Sequence, residues 1–282
     1  MENVVIPNPQ KLEKLKEEFV RGGAGSLHLV SDFDRTLTKA FVDGKSVPSM
    51  ISVFANGNFL TPDYTQKAQE LYSKYHPIEM NFTLPIEERK KAMLEWWTTH
   101  FELLIKSGLN KKDLEKVVDS QKIKFREGFE EFADFLKFRN IPLVIVSSSG
   151  LGIDAISMRL EKAGKLSDNI HIVSNSFEWD SGGNVKAVKL PIIHVLNKDE
   201  TSIQKFPFFG AVKERKNVIL LGDSIEDIGM VAGFNFDNLI KIGFLNENIE
   251  ENLERYGEKF DAVILNDSSL DSVNRLLKET IK

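Results

Sequence analysis

No cysteine occurs anywhere in the chain, which excludes disulfides, thiolate nucleophiles and cysteine-ligated zinc and fits a reducing compartment. A dominant charge is missing too: 37 Lys and Arg face 42 Asp and Glu, for a formal net charge of -5. Without a basic field nothing holds a polynucleotide backbone, so no nucleic-acid polymer is expected as a partner. No window approaches the ~20 apolar residues that span a bilayer, and the start MENVVIPNPQ lacks a basic segment followed by an apolar one. These absences point to a cytoplasmic chain with no membrane partner, and a monomer is favoured. Histidine is scarce, and His28, His76, His171 and His194 show no metal-ligand spacing, so they are read as structural.

What is present suffices for a large core, since 41% of the 282 residues are apolar. Apolar positions at helical spacing predict an amphipathic lead-in helix over 9–20. Short apolar runs at 27–31, 141–146, 170–173, 218–221, 239–242 and 262–265 have the texture of buried parallel strands. Helical patterns at 129–139, 152–163, 226–232, 249–256 and 270–281 alternate with them. The fold class is therefore α/β, a parallel sheet flanked by helices, with ligands expected beyond the carboxyl ends of the strands. Residues 41–124 break the rhythm, with helical patterns at 63–75, 87–106 and 111–121 and no convincing strand. They are read as an inserted α-helical cap, leaving 1–40 and 125–282 as the catalytic core. Two short runs around Asp180-Ser181-Gly182-Gly183-Asn184 predict a β-hairpin over 177–188 that projects from the sheet.

Chemistry gathers at the strand ends. Asp32-Phe33-Asp34-Arg35-Thr36 follows the run 27–31, and residues at i and i+2 of an extended segment share a face. Phosphoryl transfer to a carboxylate needs a nucleophile, assigned here to Asp32, and an acid/base, assigned to Asp34. Ser147-Ser148-Ser149-Gly150 lies between a strand and a helix, where hydroxyls and N–H groups can hold a phosphate. Lys198 can neutralise phosphoryl oxygens as a point charge. Gly222-Asp223-Ser224-Ile225-Glu226-Asp227 puts more carboxylates at another strand end, oxygen donors that suit Mg²⁺, with Asp223 as the ligand. Taken singly, each segment also reads as a solvated loop, a helix cap or a surface lysine.

The order Asp-x-Asp-x-Thr, strand-end serine, lysine, Gly-Asp-x-x-x-Asp resembles the signature of haloacid-dehalogenase (HAD) phosphatases. The likeness narrows at Ser31-Asp32-Phe33-Asp34, Tyr75-His76-Pro77-Ile78-Glu79, Glu95-Trp96, Ile193-His194-Val195-Leu196-Asn197-Lys198-Asp199, Val218-Ile219-Leu220-Leu221-Gly222-Asp223-Ser224 and Lys241-Ile242-Gly243-Phe244-Leu245-Asn246. These segments, spread over nearly the whole chain, are similar to the cytosolic 5′-nucleotidase III, or pyrimidine 5′-nucleotidase, family.

That resemblance implies a Rossmann-like HAD core in which Asp32 is the nucleophile and a magnesium ligand. It makes Asp34 the proton donor, touching magnesium through its backbone carbonyl, while Asp223 completes the metal site. Ser148 and the backbone at Ser149 would hold the transferred phosphate, Lys198 would pair with it, and Asp227 would orient Lys198 or the metal waters. In the cap, Glu79 matches the glutamate that contacts the nucleobase. His100 falls where relatives carry a base-contacting serine, a departure, and Ser148-Ser149-Gly150 replaces the familiar Ser-Ala-Gly. Trp96 and Trp97 are candidates to stack on the base or to pack the cap. The implied activity is Mg²⁺-dependent hydrolysis of nucleoside 5′-monophosphates, CMP and UMP or N7-methyl-GMP, to nucleoside and phosphate through an aspartyl-phosphate on Asp32. The alternatives are a HAD phosphatase acting on another small phosphomonoester, a nucleoside phosphotransferase, or a nucleotide-binding protein without catalysis, the last opposed by the intact Asp32, Asp34, Lys198 and Asp223.

Overall fold

The computed structural model describes residues 3–47, 49–200 and 203–281. Strand Val4–Val5 (β1) and helix Pro9–Gly22 (α1) lead into strand Leu27–Ser31 (β2). A ribbon of Phe41–Val42 (β3) and Lys45–Ser46 (β4) opens the insertion, followed by helices Met50–Ala55 (α2), Pro62–Glu79 (α3), Ile86–Lys106 (α4) and Lys111–Asp119 (α5). Helix Phe129–Phe138 (α6), strand Leu143–Val146 (β5), helix Gly152–Lys162 (α7) and strand Ile170–Val173 (β6) resume the alternation. Strands Phe177–Trp179 (β7) and Val185–Val188 (β8) pair as a hairpin, and a short helix, Phe209–Val212 (α8), precedes strand Asn217–Gly222 (β9). Strand Asn238–Leu245 (β10), helix Ile249–Lys259 (α9), strand Ala262–Leu265 (β11) and helix Asp271–Thr280 (α10) complete the chain.

The main sheet runs β1-β11-β10-β9-β2-β5-β6, parallel throughout except for β1. Every residue of β2, β5 and β9 is buried, because helices cover both faces. Leu27, Leu29 and Ile145 pack into the cluster beneath α1, α6 and α10, while Val30, Val144 and Leu220 face the cluster around Val212, Met230 and Phe234. His28 shares that second face, 4.9 Å from the Phe234 ring, where burial pushes its imidazole down to about 4 and keeps it neutral. Among the histidines read as structural, it fits that reading most plainly.

Several expectations shift. The stretch read as helix over 226–232 is a 3₁₀ segment, Ile225–Val231, opened by a capping box between Ser224 and Asp227. The insertion does contain strand structure, since Phe41 and Val42 pair with Ser46 and Lys45 across a two-residue turn too short to show periodicity. The hairpin forms as expected, but it packs rather than projects. Val185 N–H donates to the Leu109 carbonyl at 2.9 Å, Lys111 N–H to Gly183 at 2.9 Å, and Phe101 meets Phe177 edge-on. Asn110 caps α5 and also donates to Gly182 O and Asn184 Oδ1, tying the helical insertion to the hairpin.

The turn after β2 is braced from behind by Arg126, whose side chain has no exposed surface. It donates to the carbonyls of Thr36 at 2.9 Å, Arg35 at 2.5 Å and Ser268 at 2.7 Å, and lies 3.0 Å from Asp267. Arg35 sits in the left-handed region at φ 62°, a cost of ~1–2 kcal/mol for a side-chain-bearing residue. Arg126 and the Asn246 amide hold its carbonyl there. Replacing Arg126 by Met takes the cation from the half-buried Asp267 and the buried donor from the Thr36 and Ser268 carbonyls, leaving Asn246 alone to hold the Arg35 carbonyl. Urea unfolding of Arg126→Met is expected to show a loss of ~3–5 kcal/mol; a loss under ~1 kcal/mol would refute the brace.

Candidate active site

β2 lies between β5 and β9, so three chain segments emerge side by side at the carboxyl edge, where the strand order switches direction. Asp32 leaves β2 with its N–H donating to the Leu221 carbonyl of β9 at 3.0 Å. Asp223 follows β9, and Ser147 follows β5 with its N–H on the Val173 carbonyl. Gly222 is required by closeness: a Cβ there would stand 2.5 Å from the Asp227 Cβ. That contact seats Asp227 against the strand end, where its Oδ2 accepts from Ser224 N–H at 3.0 Å.

Lys198 joins the segments. Its ammonium, on a residue only 4% exposed, donates to Asp32 Oδ1 at 2.5 Å and Asp227 Oδ1 at 2.7 Å. Burial works to lower its pKa, but Asp227 and Asp32 outweigh that and hold it above the ordinary lysine value. Asp34 Oδ1 accepts from Met50 N–H at 3.2 Å, anchoring the start of α2. Arg35 Nε lies 3.2 Å from Asp223 Oδ2 and its Nη2 2.6 Å from Glu247, while Tyr256 donates to the Asp223 carbonyl at 2.5 Å.

The carboxylates carry the electrostatic cost. Burial, reinforced by Asp32, pushes Asp34 up to about 7. Burial also raises Asp223 to about 8, with Asp227 and Asp32 adding to it. For Asp32 burial and Asp227 outweigh Lys198, giving about 6. Asp32, Asp223 and Asp227 each offer an oxygen, all within 4.8 Å of one another. Hard, crowded oxygens whose negative charge is under-compensated suit a divalent cation, and the residues fit Mg²⁺.

On the serine-loop side, Ser149 is buried and its Oγ accepts from Leu151 N–H at 3.4 Å, while its own N–H donates to Ser147 Oγ at 3.2 Å. Ser148 is half-buried, and Asn175 clamps the loop by donating to the Ser149 and Ile193 carbonyls. Trp97 roofs this loop: a Cβ on Gly150 would stand 2.5 Å from Trp97 Cζ3 and 3.0 Å from Ile51 Cγ1. His100 lies one layer deeper, 6% exposed, with Nε2 3.0 Å from the Tyr64 hydroxyl and its pKa lowered by burial to about 4. Glu79 ends α3, its carboxylate 2.9 Å from His76 Nδ1. Trp96 stacks between Tyr75 and Trp97 and packs with Leu196, two residues before Lys198.

This arrangement has close counterparts. The family model described as "Pyrimidine 5'-nucleotidase (UMPH-1)" matches residues 35–281. The chain belongs to the pyrimidine 5′-nucleotidase family. It is 34% identical over 280 residues to the 7-methylguanosine phosphate-specific 5'-nucleotidase of Rattus norvegicus, covering 99% of this chain and 93% of that protein. A putative cytosolic 5'-nucleotidase 3 of Caenorhabditis elegans is 34% identical over 282 residues, covering 98% and 75%. The crystal structure of cytosolic 5'-nucleotidase IIIB bound to cytidine superposes with a TM-score of 0.90 at 30% identity, covering 99% of this chain and 94% of that one. A phospho-aspartyl intermediate analogue of phosphoserine phosphatase, at a TM-score of 0.51 and 20% identity, shares the fold, a Rossmann-like HAD core. The chain is thus a 5′-nucleotidase, a phosphoric monoester hydrolase.

In this 5′-nucleotidase the core residues singled out from the sequence, Asp32, Asp34, Ser148, Ser149, Lys198, Asp223 and Asp227, meet at one sheet edge. Glu79 and His100 are engaged elsewhere: the Glu79 carboxylate meets His76 at the end of α3, and His100 Nε2 meets the Tyr64 hydroxyl within residues 41–124. Arg35, Arg126 and Arg89 escaped the sequence reading. Only Arg35 carried a signal, its place inside the Asp-x-Asp-x-Thr segment. No helix among the described residues is long and apolar enough to cross a membrane.

Carboxyl groups at about 6, 7 and 8 when folded bind more protons than they do unfolded, near 3.9. Their contribution in cation-free protein is therefore fully present below ~pH 4 and is lost as pH rises through 6–8. Mg²⁺ binding competes with those protons, so thermal unfolding is expected to show a larger Mg²⁺-induced Tm rise at pH 8 than at pH 6. Equal rises at both would contradict this electrostatic account.

Proposed function

We propose that this 5′-nucleotidase is Mg²⁺-dependent and cleaves pyrimidine or N7-methylated guanosine 5′-monophosphates through a phosphoryl group carried on Asp32. The observation that carries the reading is the buried Asp32–Lys198–Asp227 cluster beside an Asp34 whose pKa sits near neutrality. The names of the relatives support the choice of bases, and the cytosolic nucleotidases among them support a cytoplasmic setting.

Asp32 attacks phosphorus in line as the P–O5′ bond breaks, and Asp34, protonated near neutral pH, gives its proton to the departing O5′. The nucleoside leaves. Asp34, now a carboxylate, takes a proton from water as that water attacks the aspartyl-phosphate, releasing phosphate and restoring both carboxyl groups. Lys198 balances charge on the phosphoryl oxygens, Asp227 keeps its ammonium aimed, and Ser148 with the loop backbone holds the remaining oxygens. Asp32, the Asp34 carbonyl and Asp223 would hold Mg²⁺, which supplies neutralisation of the charge developing on the phosphoryl oxygens. Residues 41–124 form the cap: Glu79 contacts the base, and His100, neutral and held by Tyr64, backs Trp97 from inside it.

Phosphate and nucleoside release across CMP, UMP, N7-methyl-GMP, AMP, GMP and sugar phosphates, with Mg²⁺ and with chelator, tests the reading. Mg²⁺-dependent preference for CMP, UMP or N7-methyl-GMP is expected; activity on sugar phosphates alone would overturn the choice of substrate. Nucleotide formed from an added acceptor nucleoside would reveal phosphotransfer. Asp32→Asn is expected to lower kcat by at least ~10³-fold with the thermal transition retained.

A further inference from the structure

Arg89, on the second turn of α4, is the buried cation that spans the gap between the helical insertion and the Asp223–Asp227 loop. It is 6% exposed, and its Nη2 donates to the Glu79 carbonyl at 2.6 Å. On the far side it lies 4.0 Å from Glu226 Oε1. Its guanidinium covers one Phe82 ring at 4.7 Å, a ring that Arg255 of α9 also approaches at 4.3 Å. The path continues inward through polar groups. Glu226 Oε2 accepts from the Ser224 hydroxyl at 2.5 Å, Ser224 N–H donates to Asp227 Oδ2 at 3.0 Å, and Asp227 shares Lys198 with Asp32. Burying a guanidinium is costly, and here Nε–H finds no hydrogen-bond partner among the described residues. A hydrophobic side chain would pack the same space without that cost. What the guanidinium adds is a hydrogen bond to the end of α3 together with a charge contact, at 4.0 Å, to the loop that orients Lys198.

We infer that Arg89 is a positioning residue that sets Glu79 in register with the Asp223–Asp227 loop, which orients Lys198, through Glu226. This rests on the reading that Glu79 contacts the base. Correct seating of a base then reinforces the placement of the phosphate, and a substrate without a base draws no benefit from the link.

The test compares steady-state kinetics on the preferred nucleotide of the panel and on ribose 5-phosphate, which has no base, for Arg89→Met, Glu226→Gln, their double variant and Glu79→Ala. Each single variant of the pair is expected to lower kcat/KM on the nucleotide about tenfold, mainly through KM, and on ribose 5-phosphate less than about threefold. The double variant is expected to be no worse than the poorer single one, because both cut one link. Equal losses on the two substrates, or losses that multiply in the double variant, overturn the inference. If Arg89→Met fails to fold, the substrate split in Glu226→Gln decides, since that change removes only a charge from a partly exposed side chain. Selectivity lost in Glu79→Ala but kept in Glu226→Gln and Arg89→Met overturns the link alone. Selectivity kept in all of them overturns base reading by Glu79 and the link with it.

Discussion

Negative charge crowded at the carboxyl edge of a buried sheet is the constraint around which the molecule is organised. Asp32 and Asp227 are buried and Asp34 and Asp223 half-buried beside them, so the cluster holds several carboxylates where little water reaches them. Lys198 offsets part of that cost by bridging Asp32 and Asp227, and Arg35 offsets more at Asp223. The remaining deficit is what makes the site receptive to a divalent cation and what lifts Asp34 to a pKa where it can both give and take a proton. Stability is sacrificed locally so that charge arriving with a substrate phosphate finds fixed partners.

Keeping that cluster in place falls to parts of the chain far from it in sequence. Arg126 and Asn246 fix the left-handed turn at Arg35 from behind, and Gly222 lets Asp227 approach its strand. From above, the helical insertion grips the same loops: Leu196 is buried among Tyr75, Met93 and Trp96, Trp97 covers Gly150, and Lys90 lies 3.9 Å from Asp199. The loop that carries Lys198 is therefore held between core and insertion.

The sheet was largely legible in the sequence because buried parallel strands must be apolar on both faces, and the runs ending at Ser31, Val146, Val173 and Leu265 stop where charge or turn residues begin. Local chemistry was legible for the same reason, since strand ends with carboxylates are conspicuous. Strand β1 was not, because two residues carry no period, nor was the 3₁₀ form of Ile225–Val231, which a helical spacing cannot distinguish over seven residues. Arg126 and Arg89 were invisible for a deeper reason. An arginine among surface-like charges gives no sign that its guanidinium is buried; only the tertiary arrangement supplies Asp267 and Thr36 to one and Glu79 and Glu226 to the other. His100 was placed at the base only by the family resemblance, at a position where relatives carry serine, and its Nε2 meets Tyr64 within residues 41–124.

The central claim is that phosphorus passes through Asp32, and trapping that state tests it most directly. Asp34→Asn removes the acid for O5′ as well as the base for water, so adduct formation and hydrolysis both slow, and acid quench over an extended time course with the preferred nucleotide and Mg²⁺, followed by peptide mass mapping, is the measurement. The account predicts a phosphoryl adduct on the peptide containing Asp32 that disappears in the Asp32→Asn/Asp34→Asn double variant. An adduct on another residue, or nucleoside release from Asp34→Asn with no adduct at any time point, would contradict it.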